Sequence, residues 1–481
     1  VESVDSTDVD GAEKEVEEVV VTGIKSSLLD AIEIKRSNVG VMEAITAEDF
    51  GKFPDGNLAE SLARVAGVGI DRSNVEGQRV AVRGFGPEFN LVTLNGRQMP
   101  TVPGQWGGGR SFNFGDIASP GVAAVELFKS SNSALPSGGI GSTINMVTTK
   151  PLSIDGTKQA LSYAIVEDTT SVKDIGKSGR PEETSYLFAT NKGKWGFALS
   201  ASHQQRSNRE EGTRESNWLS HPQIISVDGY DRLATATNVT NNSNRSDGVT
   251  FYQEPTAYQI KDNKRTRRNA QATFQFIAGN TVNTIDHTYS GVDFSSTGQM
   301  FGSWLGGWDT LSGTVNENGA YTDVVVGNRA YDHQYIWGET SSENKSNGFN
   351  SVITVNDALT VIFDYHNSTA ELNGSELPNE MGITTDKRAT ITHTNGGSSG
   401  INTWSYDNDF LASDYYVASV AMHDAYKENH LKQAKLSGEW VNLGGGMLPN
   451  TITSIEFGVS QIENQYADRR ASDSIGAQGP N

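Results

Sequence analysis

The sequence predicts a small mixed α+β domain at the front, followed by antiparallel strands of a transmembrane β-barrel. Three observations carry this. Two glycine-punctuated segments, VAVRGFGPEFNLVTLNGRQMP (Val80–Pro100) and VELFKSSNSALPSGGIGSTINMVTTKP (Val125–Pro151), alternate apolar residues through short strands and then break. Such wording fits short strands joined by turns that need φ > 0, as in a compact mixed domain. Behind Pro151, runs of strict period-two alternation recur. The connections between those runs are very short on one side and long on the other.

Composition narrows the class. The chain has 481 residues, no cysteine, 51 glycines and a formal charge of −20. Without cysteine there is no disulfide framework and no thiolate metal site. The acidic balance argues against nucleic acid, whose phosphates demand a basic surface. No run approaches the roughly 20 apolar residues of a membrane helix, whereas barrel strands alternate and keep hydropathy low. The start, VESVDSTDVDGAEKE, has no basic or apolar leader region, so it reads as a mature chain or one that carried no signal peptide.

Residues 1–16 are acidic, small and aperiodic and read as disordered. EVEEVVVTG (Glu15–Gly23) is β-prone, and from the run alone an edge strand is the simple reading. Leu58, Leu62 and Val65 have helical spacing, with Asp55 or Asn57 as cap and Gly67 as terminator. Beyond Pro151 the alternating apolar sets are Trp195, Phe197, Leu199, Ala201; then Ala270, Ala272, Phe274, Phe276; then Leu359, Val361, Phe363, Tyr365; then Ile455, Phe457, Val459. The polar face of the third set carries Asp364 and His366. Earlier strands are expected near Leu161–Val166 and Thr184–Thr190. Short turns fall at Asn191–Gly193, Ala278–Asn280, Asn356–Asp357 and Leu443–Leu448, and 206–264, 293–346 and 369–426 read as long outer loops. That asymmetry favours a membrane barrel; a soluble sandwich, the alternative, usually has short loops at both ends.

These motifs resemble the TonB-dependent outer-membrane receptors. PDGNLAESLARVAGVGIDR (Pro54–Arg72), RGFGPEFNLVTLNGR (Arg83–Arg97) and ALPSGGIGSTINMVTTKP (Ala134–Pro151) look like the family's plug domain, and EEVVVTG (Glu17–Gly23) looks like its TonB box. The resemblance implies a leader over 1–16, a TonB box over 17–23, a plug over 24–150 and barrel over 151–481. It implies TonB and its inner-membrane energising complex as partner, with Glu18, Val19, Val20, Val21 and Thr22 added as a strand to TonB. Location in the outer membrane of a Gram-negative bacterium and contact with its lipid and lipopolysaccharide follow. Such barrels have about 22 strands, against about nine readable here, so the sequence reads as the N-terminal part of a longer receptor.

The wording of GPEFN, LNGRQMP and SFNF (Ser111–Phe114) resembles the Caulobacter- and Xanthomonas-type branch, which implies uptake of an oligosaccharide. A ferric-chelate receptor or a ligand-sensing signalling receptor are the alternatives. Candidate ligand residues are Trp106 and Arg110 in VPGQWGGGRSFNF and Trp304 and Trp308 in FGSWLGGWDT, by stacking on sugar C–H faces and by the planar guanidinium fork. Packing of Trp106 on the barrel wall is an equal reading, and Trp304 and Trp337 also suit an interfacial aromatic girdle. Arg83, Gly84, Arg97, Gly138, Gly139 and Gly141 read as structural in the plug, the two arginines pairing with wall carboxylates and Glu60 or Glu126 joining that network. Lys264, Arg265, Arg267 and Arg268 read as an outer basic cluster for lipopolysaccharide phosphates or a loop ion pair.

An enzyme finds no support. The eight histidines make no HExxH or HxH pattern, no GxSxG elbow occurs, and SGGIGS lacks the Lys-Ser/Thr and helix of a phosphate loop. No metal or cofactor is expected.

Overall fold

The computed structural model describes residues 29–38, 40–47, 57–73, 76–102, 110–170, 181–222, 224–227, 230–233, 238–246, 249–303, 310–375, 377–394, 403–444 and 451–476. The TonB-box residues Glu18–Thr22, together with Trp106, Trp304 and Trp308, lie outside them.

Among the described residues the first domain holds seven strands: β1 (Met42–Thr46), β2 (Val68–Ser73), β3 (Glu76–Val82), β4 (Asn90–Leu94), β5 (Arg97–Gln98), β6 (Val122–Phe128) and β7 (Ser142–Thr148). Five of them form a sheet in the order β1-β6-β7-β4-β5, and β2 pairs with β3 as a hairpin. The two glycine-rich motifs thereby meet, because β4 runs parallel to β7 from Asn90 opposite Ser142 to Leu94 opposite Met146.

Leu58–Leu62 is helical, capped by Asn57, whose Oδ1 accepts from Ala59 N at 2.8 Å. The helix stops before Val65, sooner than its spacing suggests. The chain tightens there through Arg64 N to Ser61 O and Val65 N to Leu62 O, then turns at Gly67 with φ 78°. Leu58 and Leu62 are fully buried against Val80, Val82, Ile144 and Met146. Each such side chain contributes about 1.5–3 kcal/mol.

The remaining strands are β8 (Thr157–Ile165), β9 (Glu182–Asn191), β10 (Trp195–Pro222), β11 (Ile224–Val227), β12 (Tyr230–Leu233), β13 (Asn238–Asn241), β14 (Val249–Ala278), β15 (Thr281–Ser303), β16 (Thr310–Val315), β17 (Tyr321–Arg329), β18 (Asp332–Asn356), β19 (Leu359–Gly374), β20 (Asn379–Thr385), β21 (Ala389–Thr394), β22 (Thr403–Tyr406), β23 (Tyr415–Val441) and β24 (Ser454–Gly476). A single antiparallel wall runs β8-β9-β10-β14-β15-β18-β19-β23-β24, with β20 inserted between β18 and β23 beyond the end of β19. The expected short turns at Asn191–Gly193, Ala278–Asn280 and Asn356–Asp357 all lie at one end, and residues 445–448 of the fourth lie outside the described residues. A smaller sheet, β13-β16-β17-β21-β22, packs around Val324, Val326 and Ile391. No helix among the described residues is long and apolar enough to cross a membrane; the crossing elements are strands.

The segments expected as long loops are largely strand. β10 has 28 residues and β14 has 30, whereas about 9–11 suffice to cross a bilayer. At about 3.3 Å per residue these strands run on for tens of ångströms beyond the membrane. There both faces meet water, so the apolar half of the alternation disappears and only the backbone ladder persists.

Candidate functional site

Two faces of the wall are distinguished by strand alternation. Asn269 on β14, and Asp286 and Ser290 on β15, contact the first domain, and Gln275 on β14 accepts from Leu152 N just behind it, so their parity marks the inner face. Phe274, Ile285, Phe363 and Leu436 have the opposite parity and are exposed. Apolar-out and polar-in is the membrane-barrel arrangement.

On the inner face, Arg97 is the centre of a latch. Asn95-Gly96 forms the β4–β5 turn with φ of 54° and 80°, the left-handed pair that an Asn-Gly hairpin favours. Asn95 Oδ1 accepts from Thr148 N at 2.9 Å, and Asn145 Oδ1 accepts from Gly96 N and from Thr93 Oγ1, each at 2.8 Å. That network ties the turn to β7 and aims Arg97 at the wall. Its Nη1 donates to both oxygens of Asp286 at 2.7 Å. Its Nε and Nη2 donate to Asp364 at 2.9 Å, and Asn350 Nδ2 also donates to Asp364 at 3.0 Å. Arg97 is only 3 % exposed. Burial opposes its charge, yet Asp364 and Asp286 outweigh that cost and hold the guanidinium protonated more firmly than in water. Gly348 lies directly beneath; any Cβ there would meet Arg97 Nη1 and Cζ.

From the latch the chain climbs the wall. Gln98 N donates to Gln433 Oε1 at 3.1 Å, and Thr101 O accepts from Asn429 Nδ2 at 2.9 Å. Asn429 lies farther than Gln433 from the short-turn end, so residues 97–101 lead outward.

A second contact seats the segment Phe114–Asp116 on β14 and β15. Arg267, fully buried, donates from Nη1 to Gly115 O at 2.7 Å and also binds Gln204. Asp116 O accepts from Asn269 Nδ2 at 3.0 Å and from Ser290 Oγ. Burial pushes the Asp116 carboxyl up to about 7, against the pull of Arg267 and Arg265 and a hydrogen bond from Asn344. The raised value means the seated domain holds a proton that the unseated carboxyl, at 3.8, would release. Its stabilising contribution is therefore complete below 3.8 and is lost as pH rises through about 7. Release of the first domain from the wall by urea is expected to need less denaturant at about pH 8 than at about pH 5, and Asp116→Asn is expected to flatten that slope. An unchanged slope in the variant would refute the assignment. A third contact joins Glu76 of β3 to Arg265, with Arg206 at 3.8 Å.

The other plug residues stay within the domain. Arg83 donates to Gly141 O at 3.3 Å rather than to a wall carboxylate. It has φ 54°, followed by Gly84 at 81°; that tight turn spends its reach locally. Glu60 pairs with Arg72 at 2.7 Å and Glu126 accepts from Asn145 at 2.8 Å, so neither joins the wall network. Arg110 is exposed and donates to Gly138 O at 3.2 Å. At Gly139 a Cβ would strike the Ser142 carbonyl, and at Gly141 it would press on Asn90 and Phe85; those glycines permit β7 to start beside the RGFG turn.

The expected basic cluster at 264–268 is split by alternation. Arg265 and Arg267 face inward to the first domain. Arg268 faces outward, pairing with Asp293 at 2.9 Å, and Lys264 is exposed with the same parity. Asp286, Glu76 and Gly348 were not singled out from sequence. Period two carries the signal for the first, since Asp286 interrupts the polar face of a strand whose other face holds Ile285.

Residues 34–143 match the family model of the TonB-dependent receptor plug domain. No curated protein matches the chain. Among solved structures, the siderophore receptor PirA from Acinetobacter baumannii aligns at 10% identity over 92% of this chain and 78% of that one, with a TM-score of 0.30. The ferric citrate transporter FecA aligns at 12% over 90% and 79%, also at 0.30. The hemophore receptor HasR of Serratia marcescens, in complex with its hemophore HasA and heme, aligns at 10% over 91% and 60%, at 0.30. Residues 34–143 thus form a domain of the TonB-dependent receptor plug family, pinned by buried polar contacts to the inner face of an apolar-out antiparallel wall.

Proposed function

We propose that this receptor imports an oligosaccharide and that ligand occupancy is coupled to TonB through the Arg97 latch. The observation that carries the coupling is covalent: the latch at Arg97 and the apical segment with Trp106 and Arg110 share one stretch of chain, held on the wall at Gln433 and Asn429. A sugar stacked on Trp106, with Arg110 as a donor and Trp304 and Trp308 as further stacking partners, pulls on that stretch and strains the latch. On the periplasmic side, Glu18–Thr22 adds a strand to TonB, with residues 1–16 as leader, 17–23 as TonB box, 24–150 as plug and 151–481 as barrel. Force transmitted from TonB then releases Arg97 from Asp286 and Asp364, opening a path along a polar inner wall.

The experiment is a binding and uptake panel of oligosaccharides against ferric chelates with the full receptor. Trp106→Ala is expected to weaken binding of the sugar taken up by about tenfold, the scale of one aromatic stacking contact. Unchanged affinity would return Trp106 to wall packing, and uptake confined to ferric chelates would replace the sugar by a metal chelate.

A further inference from the structure

The outer face of the wall carries three levels. Nearest the short turns is an apolar band whose upper edge crosses the strands at Ile285, Phe349, Tyr365 and Ala434, which are mutually paired. Immediately above come cations of the same parity: Lys432 opposite Asn367, Lys345 opposite Tyr289, and Arg268 opposite Gly291. All three are exposed. They are interleaved with Glu343 and Asp293, bound to Lys345 and Arg268 respectively.

Farther out, the same face opens into a groove of about 460 Å³ between β15, β18 and β20. Tyr335 and Trp337 form its wall, their rings stacked with centroids 5.6 Å apart and planes at 28°. Ser295, Thr297, Glu339 and Met381 complete it. The twelve residues from Phe349 to Trp337 span about 40 Å along the strand, or about 28 Å in height at a tilt near 45°. An interfacial girdle sits at the edge of the apolar band, so that height and the intervening charges place Trp337 outside the girdle.

We infer that this groove binds a sugar ring of the membrane's own phosphorylated glycolipid, the core oligosaccharide of lipopolysaccharide. The groove lies on the same outward face as the apolar band and the cations, above both and turned away from the lumen, so its occupant belongs to the glycolipid surrounding the barrel rather than to the cargo. Acyl chains meet the apolar band, phosphates meet Lys432, Lys345 and Arg268, and a pyranose at the height of Trp337 lays its C–H face on the Tyr335–Trp337 pair. Ser295, Thr297 and Glu339 supply hydroxyl and carboxylate partners at the rim. Trp337 thereby selects for glycan length in the leaflet, a role distinct from transport.

The test titrates the full receptor in detergent with two lipopolysaccharides, one bearing a complete core oligosaccharide and one truncated to its acylated, phosphorylated base. The long form is expected to bind about tenfold tighter. Trp337→Ala should erase that preference while leaving affinity for the short form unchanged, and Trp337→Phe should retain most of it. Should Trp337→Ala not fold, Glu339→Ala at the exposed rim is expected to reduce the preference instead. Equal affinity of the native receptor for the two forms, or a preference that survives Trp337→Ala and Glu339→Ala, would overturn the inference. So would lipid-free core oligosaccharide binding as tightly as the intact glycolipid, which would make the groove a site for soluble sugar.

Discussion

Arg97→Ala is expected to loosen the plug from the wall and to make the outer membrane leaky even without TonB. The substitution strands Asp286 and Asp364, two inward carboxylates 4 % and 10 % exposed, around an empty guanidinium site. Removing one partner from such a buried ion network typically costs about 3–5 kcal/mol, because the remaining charges keep their desolvation penalty without the attraction that offset it. Arg97→Lys is expected to rescue only in part. A single ammonium cannot span both carboxylates with the five-donor planar fork that now serves them. Gly348→Ala attacks the same latch from the wall side, since its methyl occupies the space of Arg97 Nη1. Hydrogen exchange over β4 and β5 and entry of a large antibiotic are the readouts. Protection and impermeability equal to the native receptor would remove the latch from the account.

Deleting Glu17–Thr22 in the full receptor is expected to abolish uptake while leaving ligand affinity unchanged. A segment recognised by strand addition contributes main-chain hydrogen bonds to its partner, and its loss removes the attachment point for force without touching the ligand site. Energised cells or vesicles with labelled ligand separate the two quantities. Preserved uptake would sink the TonB-box assignment.

The parts of this architecture that repeat locally were legible in the residues. Phe274 and Phe276 alternate with Thr273 and Gln275 because one face meets lipid and the other the lumen, and both faces are recorded within one strand. The turns at Gly193 and Gly279, both with positive φ, were legible for the same local reason. Outer extensions such as Asp332–Ser342 of β18 were not, because a strand wetted on both faces has no apolar period to show. Arg97 was recognisable as a plug residue from its LNGR setting, but Asp286 lies 189 positions away and Asp364 lies 267 away. Nothing local in the chain records such a pairing. The reading of Lys264–Arg268 as one cluster failed through a local rule left unapplied: neighbours in a strand point to opposite faces.

The most direct test of latch release uses the fact that the chain has no cysteine. Gln98→Cys puts one thiol on the residue whose backbone N–H meets the wall beside Arg97, Gln433→Cys puts the other on the residue that accepts it, and a short bifunctional thiol reagent joins them. With the link closed, the account predicts native ligand binding and no TonB-dependent uptake, and uptake restored when a cleavable linker is cut. Undiminished uptake through the closed link would show that the Arg97 side of the plug does not move, and would contradict the mechanism.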